Sequence, residues 1–195
     1  MVIAETYTQA KDAAELIEVD YDMLDACGTL EAAPTGPQIW ESAPGNLCFD
    51  WAMGDEAGVK AAMDSAVHKA HVRVVQNRIA PTSMETRNAS GLYNPATDKF
   101  TLYSGNQGSA NIRGRMATVI LNIAEEKLHI VCPDVGGGFG MKGFIYPEQP
   151  LTLIAAKKVG RPVRWSAERT EARTHNNSMI TGYNESQCER AIPDC

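Results

Sequence analysis

The segment Cys132–Gly143 constrains this chain most, because five glycines surround Phe139 directly after a short stretch that is typical of a strand. Glycine adopts positive φ without steric cost and lets the backbone approach a ligand closely. Successive main-chain N–H groups in such a loop form a concave site for an anionic or oxo ligand. The segment therefore predicts a cofactor site on a loop that follows a strand.

Composition excludes several classes of protein. The 195-residue chain carries a formal net charge of −6, whereas nucleic acids and anionic membranes select clustered lysine and arginine. No apolar run approaches the roughly 20 residues that span a bilayer. The start, Met1–Glu5, lacks the basic and apolar regions of a secretory signal. We therefore predict a cytoplasmic protein with no nucleic-acid partner and no membrane segment.

The cysteines do not predict a metal site. Five cysteines lie at wide, irregular spacing without a C-x-x-C pair, whereas zinc sites use closely spaced ligands. We expect reduced thiols and no direct metal ligand among them.

Periodicity predicts a mixture of helices and strands. Alternating polar and apolar residues between turn-forming residues predict strands at 1–4, 18–24, 47–53, 67–79, 87–93, 99–104, 127–132 and 162–165. Apolar residues at helical spacing predict helices at 6–17, 55–66, 110–121 and 146–159. Asn94–Asp98 is rich in residues that form tight turns, so the strands on either side are predicted to form a hairpin.

Gly138–Gly143 also matches the pattern G-x-G-x-x-G, the fingerprint of a dinucleotide-binding βαβ unit. Two features disfavour this alternative. Pro133–Gly137 separates the strand from the first glycine of the pattern, although the fingerprint needs a tight turn. Pro147 and Pro150 delay the next helix, although the dinucleotide helix begins inside the motif.

Further segments form an ordered set along the chain. They are Ala4–Thr6, Gln9–Ala10, Ala13–Tyr21, Ala43–Asn46, Asn77–Arg78, Met84–Glu85, Arg87, Tyr93–Thr97, Asp134–Lys142, Tyr146–Glu148, Ala155–Trp165 and Glu168–Arg169. This set resembles the molybdenum-binding large subunit of the xanthine dehydrogenase and aldehyde oxidase family, and most closely the bacterial members named after aerobic carbon monoxide dehydrogenase. The resemblance covers roughly residues 2–175.

The resemblance implies a role for the glycine loop. In that family, the loop packs beside the metal end of the molybdopterin cytosine dinucleotide cofactor, and its backbone and phenylalanine ring shape the substrate pocket. The matching residues here are Gly137, Gly138, Phe139 and Gly140.

The resemblance also nominates Gln107. The family uses a glutamine, on a loop after a Tyr-Ser step, whose amide hydrogen-bonds an oxygen ligand of molybdenum, and Gln107 follows Tyr103–Ser104 in this way. A neutral amide can donate to an oxo group without adding charge beside the metal.

The activity implied by the resemblance is oxidative hydroxylation of an aldehyde, an N-heterocycle or a CO-like substrate, with electrons passing to iron-sulfur and FAD subunits or domains. The family's general base is a glutamate near the far C-terminal end of the large subunit, and no matching segment occurs before Cys195. We therefore expect a fragment of a molybdenum hydroxylase catalytic subunit that lacks the remainder of that subunit, is incomplete for catalysis and does not retain the cofactor alone. The alternative is a non-catalytic binding or assembly module.

The predicted fold class is α+β, with the remnant of an α/β hammerhead-like first domain ahead of the front part of the mixed α+β molybdopterin-binding domain. We predict the remnant at 1–30, a linker and connecting segment at 31–66, the partial cofactor domain at 67–175 and a divergent tail at 176–195. One departure from the family pattern lies after the glycine loop, where Gln149 and Pro150 replace an acidic residue and an alanine.

Overall fold

The computed structural model describes residues 1–29, 31–74, 81–174 and 186–192. The described helices are α1 (Tyr7–Glu15), α2 (Glu56–Ser65), α3 (Ser109–Arg115), α4 (Glu148–Val159) and α5 (Arg169–Thr174). The described strands are β1 (His68–Val74), β2 (Asn88–Asn94), β3 (Lys99–Tyr103), β4 (Leu128–Val131), β5 (Val163–Ser166) and β6 (Ser186–Ile192). This mixture of helices with a mixed sheet confirms the α+β class.

The described residues belong to two compact units, one formed by 1–74 with 186–192 and the other by 81–174. Part of the predicted strand at 67–79 and most of the predicted tail at 176–195 lie outside the described residues. In the part of the chain that the structure describes, no helix is long and apolar enough to cross a bilayer.

The described part of the first unit contains two short α-helices, a 3-10 turn at Pro44–Asn46 and a two-stranded ribbon of β1 with β6. Thr6 caps α1 through a capping box, in which its hydroxyl accepts from Gln9 N–H and Gln9 Oε1 accepts from Thr6 N–H. Asp55 accepts from Gly58 N–H at the start of α2. Both helices confirm the predictions at 6–17 and 55–66. Neither buries a residue, so local hydrogen bonds define them more than core packing does.

Three predicted strands of the first unit, at 1–4, 18–24 and 47–53, are wrong. These segments carry no strand structure, and apolar side chains in them, such as Leu24 and Phe49, are exposed. Alternation along a segment produces a strand only where a neighbouring strand takes up its hydrogen bonds and one of its faces is covered. Among the described residues, neither condition is met there.

The second unit is built on a four-stranded sheet with the order β4-β3-β2-β5. β2 and β3 form the predicted hairpin, in which Asn94 pairs with Lys99 across the turn. β5 is antiparallel to β2, and β4 is parallel to β3. The predicted strands at 127–132 and 162–165 are therefore confirmed as the two edges of this sheet.

One face of the sheet carries the core of the second unit. Alternate residues of β2, β3 and β4 are buried beneath helices on that face. Gly91 lets α4 approach β2 closely, because a Cβ at this glycine would lie 2.6 Å from the main chain of Thr152. The buried apolar residues of this core are Ala89, Phe100, Leu102, Ile112, Met116, Ala117, Leu128, Ile130 and Leu153.

The helix predicted at 110–121 is not a continuous α-helix. α3 ends at Arg115, and the chain continues as a π-helix over Met116–Leu121. This π-helix ends at Asn122, whose φ of 50° places it in the left-handed region. Apolar periodicity marks the buried face of such a segment but does not distinguish α from π winding.

Gln149, one of the two residues that depart from the family pattern, lies in the first turn of α4. The helix ends at Gly160, whose φ of 66° is the left-handed cap that the sequence predicts. The buried Gln149 side chain accepts from Tyr146 N–H at 3.2 Å and donates to Ser104 Oγ at 3.1 Å. Gln149 therefore ties the start of α4 to the end of β3.

The topology excludes the dinucleotide-binding alternative. In such a βαβ unit, the two strands around the helix are parallel neighbours in the sheet. β4 and β5, which flank the glycine loop and α4, lie at opposite edges with β3 and β2 between them. The helix also begins at Glu148, after the whole glycine pattern has passed.

Candidate cofactor site

Gln107 lies on the loop between β3 and α3, and Asn106 shapes that loop. The buried Asn106 side chain donates to Ser104 O at 3.0 Å and accepts from Gly108 N–H and Ser109 Oγ, each at 3.0 Å. These bonds engage both polar atoms of the Asn106 side chain with groups of the same turn. The loop therefore presents Gln107 from a fixed backbone.

The carboxamide of Gln107 is fixed by Lys142. Gln107 N–H donates to Lys142 O at 3.0 Å, and Lys142 N–H donates to Gln107 Oε1 at 3.1 Å. Because a main-chain N–H requires an acceptor, this contact assigns the oxygen and leaves Nε2 on the other side of the amide. Nε2 donates to no acceptor among the described residues, and Gln107 is exposed. The arrangement presents a neutral donor toward an open space.

The glycine loop has the backbone conformation that its composition predicts. Gly137 and Gly140 have φ values of 93° and 84°, and Phe139 lies in the left-handed region at 51°. That conformation costs a non-glycine residue about 1 kcal/mol. Phe139 is also 70% exposed. A strained, exposed aromatic residue at the tip of a loop is a recurrent feature of ligand sites.

Three consecutive main-chain N–H groups of this loop have no acceptor in the described part of the second unit. The N–H groups of Gly138, Phe139 and Gly140 donate to no acceptor among residues 81–174. The neighbouring N–H groups of Gly137 and Met141 are instead bonded within the loop, to Val135 O and Gly138 O, both at 2.9 Å. The open donors therefore form one contiguous group at the tip of the loop.

The structure brings the predicted site residues together. A Cβ at Gly138 would lie 2.5 Å from Cδ and Oε1 of Gln107, so the carboxamide packs directly on this glycine. A Cβ at Gly137 would lie 2.9 Å from Cε2 of Phe139, so the ring folds back over the loop. Gln107, Gly137, Gly138, Phe139 and Gly140 thus form one surface.

Beneath this surface lie Glu85 and Lys142, two residues to which sequence reasoning gave no role. The Lys142 side chain is 1% exposed, and its Nζ lies 2.5 Å from Glu85 Oε2. Glu85 Oε2 also accepts from Gly136 N–H at 2.9 Å, and Glu85 N–H donates to Gly136 O at 3.1 Å. Glu85 and Lys142 are far apart in sequence. The one signal that marks them is that both lie in segments that resemble the family.

The charge state of Glu85 follows from these contacts. Burial raises the pKa of this carboxyl group, but the hydrogen bonds from Lys142 Nζ and Gly136 N–H outweigh burial and hold the pKa below its usual value. Glu85 is therefore a carboxylate at neutral pH, and it balances the buried ammonium of Lys142.

Two further contacts hold the floor of the site. Arg169 at the start of α5 donates to the carbonyl oxygens of Ser83 and Met84, directly before Glu85. The Tyr146 hydroxyl donates to Met141 O at 2.7 Å, directly before Lys142. Burial raises the pKa of Tyr146, so this hydroxyl keeps its proton.

The donor set fits a group rich in oxygen acceptors. The donors without an acceptor among the described residues are Gln107 Nε2 and the N–H groups of Gly138, Phe139 and Gly140. All of them are neutral. Within the described ranges, no cluster of His, Cys, Asp or Glu side chains could hold a metal ion. A molybdenum cofactor bound here would accept hydrogen bonds from these donors through its oxygen atoms.

An open groove of about 420 Å³ elsewhere in the second unit contains none of the predicted site residues. Its lining includes Lys99, Thr101 and His129 on the other face of the sheet. The predicted site therefore lies apart from this groove.

Comparison with known proteins identifies the class to which this chain belongs. Residues 39–182 match the molybdopterin cofactor-binding domain, and the chain belongs to that family. The carbon monoxide dehydrogenase large chain of Hydrogenophaga pseudoflava is 32% identical in an alignment of 191 positions that covers 88% of this chain and 23% of the relative. The nicotine 6-hydroxylase large subunit of Paenarthrobacter nicotinovorans is 28% identical over 174 residues, 88% of this chain and 21% of that protein.

Solved structures agree with this assignment. Quinoline 2-oxidoreductase from Pseudomonas putida 86 has a TM-score of 0.72 at 31% identity, covering 87% of this chain and 21% of that one. Carbon monoxide dehydrogenase from Oligotropha carboxidovorans has a TM-score of 0.76 at 28% identity, covering 85% and 22%. The resemblance to molybdenum hydroxylase large subunits is confirmed, and this chain spans about a quarter of the length of the relatives it matches.

Proposed function

We propose that this chain forms one wall of the molybdopterin pocket of a molybdenum hydroxylase large subunit, in which Gln107 donates a hydrogen bond to an oxygen ligand of molybdenum. The observation that carries the proposal is the orientation of the Gln107 carboxamide. Its oxygen is occupied by Lys142 N–H at 3.1 Å, so its amino group is the atom left for a ligand. A neutral amide binds and orients an oxo group and does not take part in proton transfer.

The glycine loop supplies the rest of this wall. The N–H groups of Gly138, Phe139 and Gly140 provide additional donors, and Gly137 allows the turn that presents them. The exposed ring of Phe139 lies at the rim, where it is suited to contact an apolar part of a substrate. These residues bind and orient; none of them is a general base.

The cofactor, when bound, supplies the two-electron redox chemistry of oxidative hydroxylation. The names of the relatives, which include carbon monoxide dehydrogenase, nicotine 6-hydroxylase and an aldehyde oxidoreductase from Escherichia coli, support a substrate of the aldehyde, N-heterocycle or CO-like class. Iron-sulfur and FAD partners, a cytoplasmic location and the cytosine dinucleotide form of the cofactor belong to the same proposal. The boundaries predicted at 1–30, 31–66 and 67–175 remain predictions.

We also propose that this chain alone does not retain the cofactor. Gln107 and Phe139 are exposed, so these contacts cover the cofactor from one side only. Four hydrogen bonds in contact with solvent provide modest affinity, because each replaces a hydrogen bond to water. Molybdenum analysis after desalting should find far less than one metal per chain. Tight one-to-one retention would contradict this part of the proposal.

The role of Gln107 is tested by Gln107→Glu. Glutamate keeps the shape of the side chain and an oxygen acceptor for Lys142 N–H, but it lacks the amino donor and adds a negative charge beside the ligand oxygen. We expect the affinity for molybdopterin cofactor, released anaerobically from a donor molybdoenzyme and measured by equilibrium dialysis, to fall about ten-fold or more.

Gln38→Glu is the matched control, because Gln38 lies in the first unit and makes only main-chain contacts, to Trp40 O and Glu41 O. It makes the same chemical change outside the site and should leave cofactor affinity unchanged. Equal affinities of the wild type and Gln107→Glu would overturn the proposal and leave the non-catalytic assembly role as the better hypothesis.

A further inference from the structure

We infer that Lys142 and Glu85 are positioning residues, which hold the Gln107 carboxamide and the glycine loop in one fixed arrangement. The inference concerns the same site and rests on the proposed function for its biological meaning. Its physical content is a coupling between the glycine loop and an ion pair whose lysine is buried and whose glutamate is partly exposed. This coupling is argued from the contacts of this chain alone.

Lys142 contacts Gln107 through its main chain and the interior of the second unit through its side chain. Its main chain makes two hydrogen bonds with Gln107, one from each direction. Its side chain runs inward and ends at Glu85, with 1% of its surface exposed. A buried ammonium that loses its carboxylate partner is destabilised unless it reaches water. The main chain of Lys142 would have to move with the ammonium group. Gln107 Oε1 would then lose the hydrogen bond that it accepts from Lys142 N–H.

Glu85 holds the other end of the glycine loop. Its main-chain N–H and its carboxylate together make two hydrogen bonds with Gly136, and its Oε2 is shared between Gly136 N–H and Lys142 Nζ. One carboxylate oxygen thus fixes the residue where the loop begins relative to the residue where it ends. A Cβ at Gly136 would lie 2.5 Å from Glu85 Cβ, so the two residues are also in direct contact.

The hydrogen bonds close into a ring that includes the Gln107 loop. Asn88 Nδ2 donates to Glu85 Oε1 at 3.1 Å, and Asn88 Oδ1 accepts from Gly105 N–H at 3.4 Å. From Gly105 the chain leads to Gln107, and from there through Lys142 back to Glu85. The hydrogen bonds of such a network strengthen one another, so the loss of one bond weakens the others. The ion pair is the strongest link of the ring, since it joins two charged groups.

Amide hydrogen exchange, followed by NMR on the 195-residue chain without cofactor, tests this inference. Lys142→Met removes the ammonium and keeps the unbranched side chain. We expect exchange at the main-chain N–H groups of Gln107 and of position 142 to become about ten-fold faster. The amides of β3 should keep their wild-type rates. The side-chain amide signals of Gln107 should shift or broaden, because Oε1 loses its fixed donor.

Glu85→Gln provides a second variant if Lys142→Met unfolds. It keeps one oxygen to accept from Gly136 N–H, but it removes the charge that faces Lys142 and puts an NH2 group opposite the donor Asn88 Nδ2. Both changes weaken the ring, so faster exchange at Gln107 and Lys142 is again expected. Asp98→Asn is the matched control, since it removes a lysine-paired carboxylate at the opposite end of β3. It should leave the Gln107 signals unchanged.

Selective acceleration at Gln107 and Lys142 in either variant supports the inference. Wild-type exchange at these two amides, or an equal increase across β3 in both variants, overturns it. The cofactor titration decides the proposed function separately. Faster exchange in the Lys142 or Glu85 variant, together with unchanged cofactor affinity of Gln107→Glu, would support the positioning role and contradict the proposed function.

Discussion

Arg87 Nε donates to Glu148 Oε1 at 2.8 Å in a pair whose side chains are only 5% and 15% exposed. The guanidinium also lies 4.0 Å from the centre of the Tyr146 ring and donates through Nη1 to Ala172 O at 3.2 Å. Arg87 thus joins the start of β2 to α4 and α5 in one fully satisfied cluster. Glu148 has a structural role here, as a partner that balances a buried charge.

Glu148→Gln should therefore destabilise the second unit by about 3 kcal/mol, because it leaves the buried guanidinium without a counter-charge. Urea unfolding measures the change. Asp64→Asn is the control, since the Lys60–Asp64 pair is exposed on α2 and should contribute nothing measurable. Equal small effects of the two substitutions would show that the Arg87–Glu148 pair contributes little.

Gly91→Ala tests the close contact of α4 with β2. The new methyl group would meet the main chain of Thr152 and Leu153 at 2.6 to 2.7 Å, and main chain cannot move aside as the end of a side chain can. We expect a loss of about 2 kcal/mol in the free energy of unfolding. Gly143→Ala, where a Cβ meets nothing within 4 Å, should be nearly neutral in the same assay.

The sequence predicted the elements whose signals are local. The hairpin around Asn94–Asp98 and the left-handed cap at Gly160 follow from residue types that act within a few positions. The strand predicted at 18–24 failed because its alternating pattern says nothing about whether another strand lies beside it. The parallel pairing of β4 with β3 likewise depends on the whole sheet and has no local signal.

The candidate site was predictable only where a motif or a resemblance marked it. The glycine run identified Gly137, Gly138 and Gly140 as a loop from residue chemistry alone, and resemblance singled out Gln107. Nothing in the sequence linked Lys142 to Glu85, because a pair formed across a folded unit leaves no local pattern.

Gly138→Ala should affect the site without unfolding the chain. Its methyl group would lie 2.5 Å from the end of the exposed Gln107 side chain, which can move away at little cost in stability. The carboxamide would then leave Lys142 N–H, so cofactor affinity should fall as much as in Gln107→Glu. Thermal melting should change by no more than a few degrees. A large loss of stability with unchanged affinity would contradict this expectation.

Stability should fall in acid partly through Asp98. Hydrogen bonds from Lys127, Tyr93 and Lys157 hold the pKa of Asp98 well below its ordinary 3.8. Because the pKa in the folded chain lies below that in the unfolded chain, the stabilisation is fully present above about pH 5 and is lost progressively as the pH falls toward the folded value.

Asp98→Asn removes this dependence, and asparagine tolerates the positive φ of 50° at that position. In urea unfolding from pH 7 to pH 3, the variant should be less stable than the wild type at pH 7, and the difference should shrink at pH 3. A difference that stays constant over this range would show that Asp98 does not titrate with folding.

The first unit should promote self-association of the isolated chain. Its helices bury no residue, and Leu24 and Trp51 are 86% and 70% exposed among several other large apolar side chains. Exposed apolar surface promotes association in water. Sedimentation velocity should show the average mass rising with concentration, and Leu24→Lys with Trp51→Lys should reduce that rise. Val119→Lys, at an exposed apolar position of the second unit, should leave the rise intact. A monomer at every concentration would contradict the prediction.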